Sequence, residues 1–270
     1  MQERIITIYC LCDEFLKATD FVEHPGTTMN TAEVMTTALV AADVVGGCFE
    51  RSRAFLSVHG YIPRMLSKSR FNRRLHALPE SLWQGLFHLL SGVAKESNTG
   101  DEYLVDSGPV PVCDNIRIRR CQLYRDEAYR GYMASKKRYF FGLRIPLLVT
   151  ATGQPVEFVL APGAQADISA FKTLPLDLPA GSTIYADAAY TDYEWEDFLA
   201  QGPNLSLVVP RKVNAKRTMT PCQRYLCQYV RKRVETSFSQ ITALFARPLR
   251  AVTSRCVELK ICLALLAFAL

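Results

Sequence analysis

The chain has 270 residues, of which 49% are hydrophobic and 21% are charged. This composition fits a globular protein with a hydrophobic core, and it excludes a wholly disordered or collagen-like chain. The charge is uneven: residues 145–204 hold one base and eight acids, whereas residues 205–270 hold twelve bases and two acids. The basic C-terminal part predicts a polyanionic partner.

The cysteines and the apolar C-terminal run limit the possible surroundings of the chain. Nine cysteines without paired CxxC blocks, beside only four histidines, predict no zinc site. An odd cysteine count without a secretory signal favours reduced thiols in the cytoplasm. The apolar run Ile261–Leu270 is shorter than the about 20 residues that a membrane span needs, so we interpret it as a core helix and expect no membrane partner.

The first hundred residues have the periodicity of helices. Apolar residues recur at helical spacing in Thr31–Val45, Phe49–His59 and Leu82–Val93. A further helix is predicted after Ser67 or Ser69, and its start is basic. We interpret residues 1–98 as an all-helical, helix-turn-helix-like DNA-binding region, the alternative being a solvated basic face of a helical bundle. The candidate DNA-binding residues here are Arg64, Lys68, Arg70, Arg73 and Arg74.

From Glu102 onward, strands alternate with helices. The pattern predicts the order β-β-β-α-β-α-β-α, which is that of a ribonuclease-H-like domain. We therefore expect residues 99–270 to form an α/β domain with a mixed sheet flanked by helices. The predicted strands are Tyr103–Asp106, Arg138–Thr150, Val156–Leu160, Thr183–Asp187 and Leu205–Val209, and the predicted helices are Asp167–Leu174, Asp192–Ala200 and Tyr225–Phe245.

Three acids in this region are candidates for chemistry. Asp106 and Asp187 each follow an apolar strand, where open α/β sheets present functional groups. If the two strands are parallel neighbours, about 5 Å separates them, and two ions of Mg²⁺ or Mn²⁺ would relieve the repulsion between the carboxylates. Glu235, on the last predicted helix of this order, could supply a third carboxylate. Taken singly, Asp106 and Asp187 could instead cap turns or a helix, and Glu235 could pair with Arg231.

Four segments resemble the DDE-type insertion-sequence transposases of bacteria. They are Val105-Asp106-Ser107, Tyr132–Arg144, Ala186–Tyr190 and Arg233–Ser239. The resemblance extends from about residue 60 to the end of the chain. It implies that Asp106, Asp187 and Glu235 are a DDE triad that binds two divalent ions. It also implies an enzyme that binds the ends of its element, cleaves DNA and transfers the strand, acting as a homodimer in the bacterial cytoplasm.

Such an enzyme must hold double-stranded DNA, both the element ends and the target. Phosphate contacts supply most of the non-specific affinity for DNA, so basic residues near the acids are further candidates. Tyr190, Tyr193 and Trp195 could stack on an unpaired base, although packing in the core is the other interpretation. The basic candidates are Lys136, Lys137, Arg138, Arg211, Lys212, Arg231, Lys232 and Arg233.

Two departures from the family pattern keep other functions open. Pro146 stands where relatives tend to carry a histidine, and it removes a donor from a predicted strand. The end at Leu270 is also slightly early for this family. Either departure favours an inactive DNA-binding relic of a mobile element. A ribonuclease-H-like nuclease that cuts without joining is the second alternative, because it would need the same three acids.

Overall fold

A computed structural model describes residues 1–114, 118, 120–133, 136–211, 215–244, 249 and 251–270. These residues form two compact units. The helical unit comprises Met1–Leu90, Ile241–Ala251 and Arg255–Leu270, and the sheet unit comprises Ser91–Gln240 and Val252–Ser254. The division of function at residues 98 and 99 stays a prediction.

Helices account for the secondary structure of the helical unit. Three of them match the predicted helices to within a few residues, and the apolar C-terminal run lies in a helix with a buried core face, as expected. The helices that contribute to this unit are α1 (Gln2–Ala18), α2 (Thr31–Val44), α3 (Phe49–Val58), α4 (Lys68–Ala77), α5 (Glu80–Glu96) up to Leu90, α8 (Pro221–Leu244) from Ile241, and α9 (Ser254–Ala269) from Arg255.

Helix α2 is the centre of this unit, and it contacts α1, α3 and α4. A capping box begins it: the Asn30 side chain accepts a hydrogen bond from the Glu33 amide, and the Glu33 carboxylate accepts one from the Asn30 amide, both at 2.7 Å. Most of its apolar residues are buried, and Met35 and Leu39 are fully so. The α2 helix therefore holds its neighbours by apolar packing around a well-capped start.

Helix α4 has the amphipathic character that the sequence predicts. Ser67 is its N-cap residue, although the Ser67 side chain makes no capping hydrogen bond. Phe71, Leu75 and Leu78 are buried, while Arg70 and Arg73 on the opposite side are exposed, as is Lys68 at the first residue of the helix. The apolar stripe fixes which face of α4 points outward, and that face is basic.

No single helix among the described residues is both long and apolar enough to cross a membrane. The pair α2 and α3 passes the same test of length and composition together, but an angle of 111° separates the two helices.

The sheet unit contains a seven-stranded mixed sheet with the order β2-β3-β1-β6-β7, and β4 and β5 also pair with β3. The strand β1 is antiparallel to β3 and parallel to β6, which is parallel to β7. The elements are β1 (Glu102–Asp114), β2 (Arg130–Met133), β3 (Arg138–Thr150), β4 (Pro155–Phe158), β5 (Ala161–Pro162), α6 (Asp167–Phe171), β6 (Thr183–Tyr185), α7 (Tyr193–Gln201), β7 (Ser206–Val208) and α8 up to Gln240.

One face of the sheet carries the core of this unit. Tyr103, Leu148 and Ile184 are fully buried there, with Phe171 of α6 and Leu199 of α7 packed against them. Because side chains alternate along a strand, Leu104 and Asp106 lie on the opposite face from Tyr103. Asp106 is therefore on the face of β1 away from Tyr103, beside Leu104, which is also buried.

Several elements differ in detail from the predicted ones. The strand β1 runs to Asp114 rather than stopping at Asp106, through Pro109 and Pro111, with a register irregularity between Pro111 and Cys113. The pattern did not predict β2, because four residues are too few to show periodicity. The helix α6 begins at Asp167 but ends at Phe171 rather than at Leu174, and the Asp167 carboxylate pairs with Arg144.

Pro146 does not interrupt β3. The register with β1 continues through it, with Pro146 opposite Ser107 and Leu147 opposite Asp106. On its other side, Pro146 falls between the residues of β3 that pair with β5 and those that pair with β4. Its carbonyl accepts a hydrogen bond from the Val159 amide at 3.2 Å. A residue without an N–H is tolerated at this break between partner strands.

Close approach between strands requires glycine at position 142. A Cβ atom placed there would lie 2.3 Å from the Val110 carbonyl oxygen and 2.9 Å from the Val112 nitrogen, which are backbone atoms of β1. Backbone atoms of a central strand cannot yield as a flexible side chain can. The sequence pattern alone does not reveal this contact, because it joins residues about thirty positions apart.

We expect Gly142→Ala to lower the free energy of unfolding by about 1–3 kcal/mol, because the new methyl group overpacks against β1. The matched control is Gly92→Ala in α5, where nothing lies within 4 Å of the added atom. That variant should gain about 0.5–1 kcal/mol from helix propensity. Urea denaturation of both proteins measures the difference. An unchanged free energy of unfolding in Gly142→Ala would contradict the close approach of position 142 to the β1 backbone.

Candidate functional site

The first two predicted acids follow neighbouring parallel strands. Glu102, Tyr103 and Leu104 of β1 pair with Thr183, Ile184 and Tyr185 of β6. The observed pairing ends at Leu104 and Tyr185. If the same register is extended by two residues, Asp106 comes opposite Asp187. Adjacent strands lie about 4.8 Å apart. Two carboxylate-bearing residues therefore lie at the same end of a parallel strand pair, at the edge where α/β sheets place their sites.

Each of the two carboxylates accepts a hydrogen bond from the next amide along the chain. Asp106 Oδ1 accepts from the Ser107 amide at 2.7 Å, and Asp187 Oδ1 accepts from the Ala188 amide. Asp187 is also the N-cap residue of a short 3-10 turn, Ala188–Tyr190. The capping interpretation of Asp187 is therefore correct as local structure, and it is compatible with a second role, since a carboxylate has several acceptor positions.

A polar network that the sequence did not predict lies near Tyr190. The Tyr190 hydroxyl lies 2.8 Å from Ser107 Oγ, and Arg144 of β3 forms an ion pair with Asp167 of α6. Burial is the main cause that raises the pKa of Tyr190; the Ser107 hydrogen bond lowers it, and the Asp106 charge raises it further. These side chains come from four separate parts of the sequence. The sequence could have indicated Ser107 and Tyr190 only because they lie close to Asp106 and Asp187 along the chain.

Tyr190 packs in the core rather than standing ready to stack on a base. It is 1% exposed, and its ring meets the edge of Phe171 with 5.6 Å between the ring centroids. Trp195 is half-buried and stacks on Phe198, which is exposed. Of the two interpretations of Tyr190, the structure supports the packing one.

The third predicted acid, Glu235, is an exposed residue of α8. Two contacts locate this helix against the sheet. Burial and the Glu102 carboxylate raise the pKa of Tyr185 to about 12, and the Cys227 and Cys222 thiols of α8 add to that effect. Near the other end, Ser237 is buried, and its Oγ would lie 2.5 Å from a Cβ atom placed on Gly153 of the β3–β4 turn. Glu235 therefore lies on a helix that packs on the sheet.

The chemistry of the donors suits a divalent cation. Adjacent carboxylate oxygens are the ligands that Mg²⁺ and Mn²⁺ prefer, and Asp106 and Asp187 supply two carboxylates by register. Among the described residues, no group of three or more His, Cys, Asp or Glu side chains lies close enough to hold a metal. The chemistry of the two aspartates thus suits a divalent ion, and the binding of two ions and the contribution of Glu235 stay predictions.

The predicted DNA-binding residues fall into three groups. Arg74 and Arg211 are engaged by acids: Arg74 pairs with Glu23, and Arg211 lies 2.5 Å from the buried Glu196. Lys212 and the side chains of Arg231 and Arg233 lie outside the described residues. The others are exposed, and they are Arg64, Lys68, Arg70, Arg73, Lys136, Lys137, Arg138 and Lys232.

Comparison with known proteins identifies the family of this chain. A family model described as "Transposase DDE domain" matches residues 98–270, which is more than half of the chain. The chain belongs to this family. The match confirms the transposase resemblance and the ribonuclease-H-like fold class, since the DDE domain spans the mixed sheet described above. No curated protein and no solved structure matches the chain.

For this DDE domain, we expect Asp187→Asn to raise the free energy of unfolding by about 0.5–2 kcal/mol in the presence of EDTA. The change removes one of two like charges at adjacent strand ends and keeps an oxygen that can accept from the Ala188 amide. Thermal unfolding measures the effect.

Asp192→Asn is the matched control for that variant. Asp192 is also an N-cap residue, but it pairs with Lys172 at 2.6 Å, so its neutralisation should bring no gain. An Asp187→Asn protein that is no more stable than the parent would contradict the repulsion between the two acids.

Proposed function

We propose that this protein is a transposase that binds the ends of an insertion sequence, cleaves DNA there and joins the freed strand to target DNA. The observation that carries the proposal is the register that sets Asp106 opposite Asp187, within a chain that matches the transposase DDE domain. We assign Asp106, Asp187 and Glu235 as the residues that hold the divalent ions. When bound, two Mg²⁺ or Mn²⁺ ions would activate the attacking oxygen and stabilise the leaving oxygen.

The proposed reaction has two displacements at phosphorus. In the first, water attacks the phosphodiester at the element end and displaces a 3′-hydroxyl. In the second, that hydroxyl attacks a phosphodiester of the target and displaces a target 3′-oxygen. No protein nucleophile is required, so the chain's residues act by holding the ions and by fixing the DNA against them. The protein would act as a homodimer that pairs two ends, in the cytoplasm of a bacterium.

A nuclease of the same fold is the second candidate function. It would use the same carboxylates but release cut DNA without joining it. A helical unit with an exposed basic helix favours the transposase, because end recognition requires a surface apart from the cutting site. An inactive DNA-binding relic is less well supported, because the strand register around Pro146 is intact.

We expect the protein to cut and join DNA that carries the gene's own flanking sequence when Mg²⁺ is present. Asp106→Ala, Asp187→Ala and Glu235→Ala should each lower the rate by at least about a hundredfold, because each would remove a proposed metal ligand. Gel assays of cleavage and strand transfer measure both steps.

Glu194→Ala, which removes an exposed acid of α7, is the control and should retain activity. Cleavage without any joined product would favour the nuclease. Activity that survives the three alanine variants would disprove the assignment of the site, and binding without any activity would indicate the relic.

The exposed face of α4 is the part of the helical unit that we propose to contact DNA. Arg70 and Arg73 are exposed on it, Lys68 is exposed at the first residue of the helix, and Phe71 and Leu75 anchor the opposite face. A helix of this size with one basic face fits the major groove, with bases that reach phosphates along its edges. Arg74 is directed to Glu23 and Thr31 instead, so we assign it a structural role.

We expect the triple variant Lys68→Ala, Arg70→Ala, Arg73→Ala to bind DNA more weakly and with less dependence on salt. Each lost phosphate contact should reduce the slope of log K against log salt by about 0.9. Fluorescence anisotropy between low and moderate salt measures the slope. Arg74→Ala is the control, and it should lower the stability of the protein rather than the salt slope. An unchanged slope in the triple variant would exclude α4 as a phosphate-binding helix.

A further inference from the structure

The two aspartates lie just beyond the residues through which β1 and β6 pair with each other. The parallel pairing joins Leu104 to Tyr185, where β6 ends. The next amide, that of Ala186, donates to the Val208 carbonyl of β7 at 3.1 Å, on the side away from β1. The relative positions of Asp106 and Asp187 therefore depend on contacts other than the ladder between their own strands.

One side-chain hydrogen bond joins the two segments at this point. The Tyr190 hydroxyl lies 2.8 Å from Ser107 Oγ, across 83 positions of sequence. Ser107 directly follows Asp106, and its amide donates to the Asp106 carboxylate. Tyr190 ends the 3-10 turn that Asp187 caps. The hydrogen bond thus connects the residue next to one acid with the turn begun by the other.

Packing alone does not account for a tyrosine here. The ring is 1% exposed and meets the edge of Phe171, a contact that a phenylalanine would make equally well. A buried hydroxyl costs free energy unless it finds a partner. Burial raises the pKa of Tyr190, so the hydroxyl stays protonated and can donate at neutral pH. The partner of the Tyr190 hydroxyl is Ser107, the residue that follows Asp106.

We propose that Tyr190 is a positioning residue of the DDE site, whose hydrogen bond to Ser107 holds Asp106 and Asp187 at the spacing that a divalent ion requires. This inference rests on the proposed function, because it assumes that the two aspartates bind metal. Tyr190 acts through Ser107 and the 3-10 turn, and it does not itself contact metal or DNA. The Ser107–Tyr190 hydrogen bond is a neutral brace between two charged residues.

The test is Mn²⁺ binding to the full-length protein, measured by electron paramagnetic resonance of the unbound ion. Tyr190→Phe should weaken Mn²⁺ binding about tenfold, the usual order for loss of a group that orients a metal ligand. Ser107→Ala should weaken it to a similar degree. The double variant, with both Tyr190→Phe and Ser107→Ala, should bind Mn²⁺ no more weakly than either single variant, because both changes remove the same hydrogen bond.

Tyr185→Phe is the matched control. The Tyr185 hydroxyl also bridges β6 and β1, to the Glu102 carboxylate at 3.2 Å, but it reaches the first residue of β1 rather than the residue next to Asp106. This variant should bind Mn²⁺ as the parent does. A second measurement, DNA cleavage against Mn²⁺ concentration, separates positioning from folding: Tyr190→Phe should recover activity at high Mn²⁺, whereas a loss of folded protein would lower activity at every concentration.

Asp187→Ala distinguishes failure of this inference from failure of the proposed function. If Asp187→Ala abolishes Mn²⁺ binding while Tyr190→Phe binds as the parent does, the positioning role is disproved and the metal pair stands. If Asp187→Ala binds as the parent does, the metal pair is disproved and the positioning role with it. Additive losses in the double variant would also overturn the brace, because they would show two independent effects.

Discussion

The parallel pairing of β1 with β6 is the constraint on which the site depends. It brings the ends of two strands side by side, and Asp106 and Asp187 follow the paired residues there. Apolar packing of the sheet stabilises the strand pair, because Tyr103 and Ile184 are fully buried within the paired segment itself. A metal ion that binds both carboxylates would offset the repulsion expected between two like charges at adjacent strand ends.

Much of the fold follows from the sequence because its signals are local. Helical periodicity gave α2, α3 and α5, and apolar runs gave β3, β6 and β7 at nearly their observed bounds. The polar features of the site do not follow in this way. The bond between Ser107 and Tyr190 spans 83 positions, and it depends on a strand register that no periodicity encodes. Sequence could indicate Asp106 and Asp187 as strand-end acids, but not what holds them in place.

For the basic residues, too, the sequence predicts exposure but not long-range contacts. A run of positive charge predicts an exposed surface, but it does not show which members have acidic partners elsewhere in the chain. Glu23 lies 51 positions from Arg74, and Glu196 lies 15 positions from Arg211. Burial of Glu196 requires such a partner, since an unpaired buried carboxylate is costly. Structure therefore separates the bases that stabilise the fold from those that face solvent, such as Arg70 and Arg73.

The chemistry of the groups around Asp106 is consistent with a site that must attract cations. A lysine in the place of Tyr190 could also join the two segments, but its charge would compete with a metal ion for the carboxylates. The tyrosine hydroxyl fixes geometry without adding charge. Arg144 of β3 pairs with Asp167 of α6. The Ser107–Tyr190 hydrogen bond thus joins the segments of Asp106 and Asp187 without placing a further charge between them.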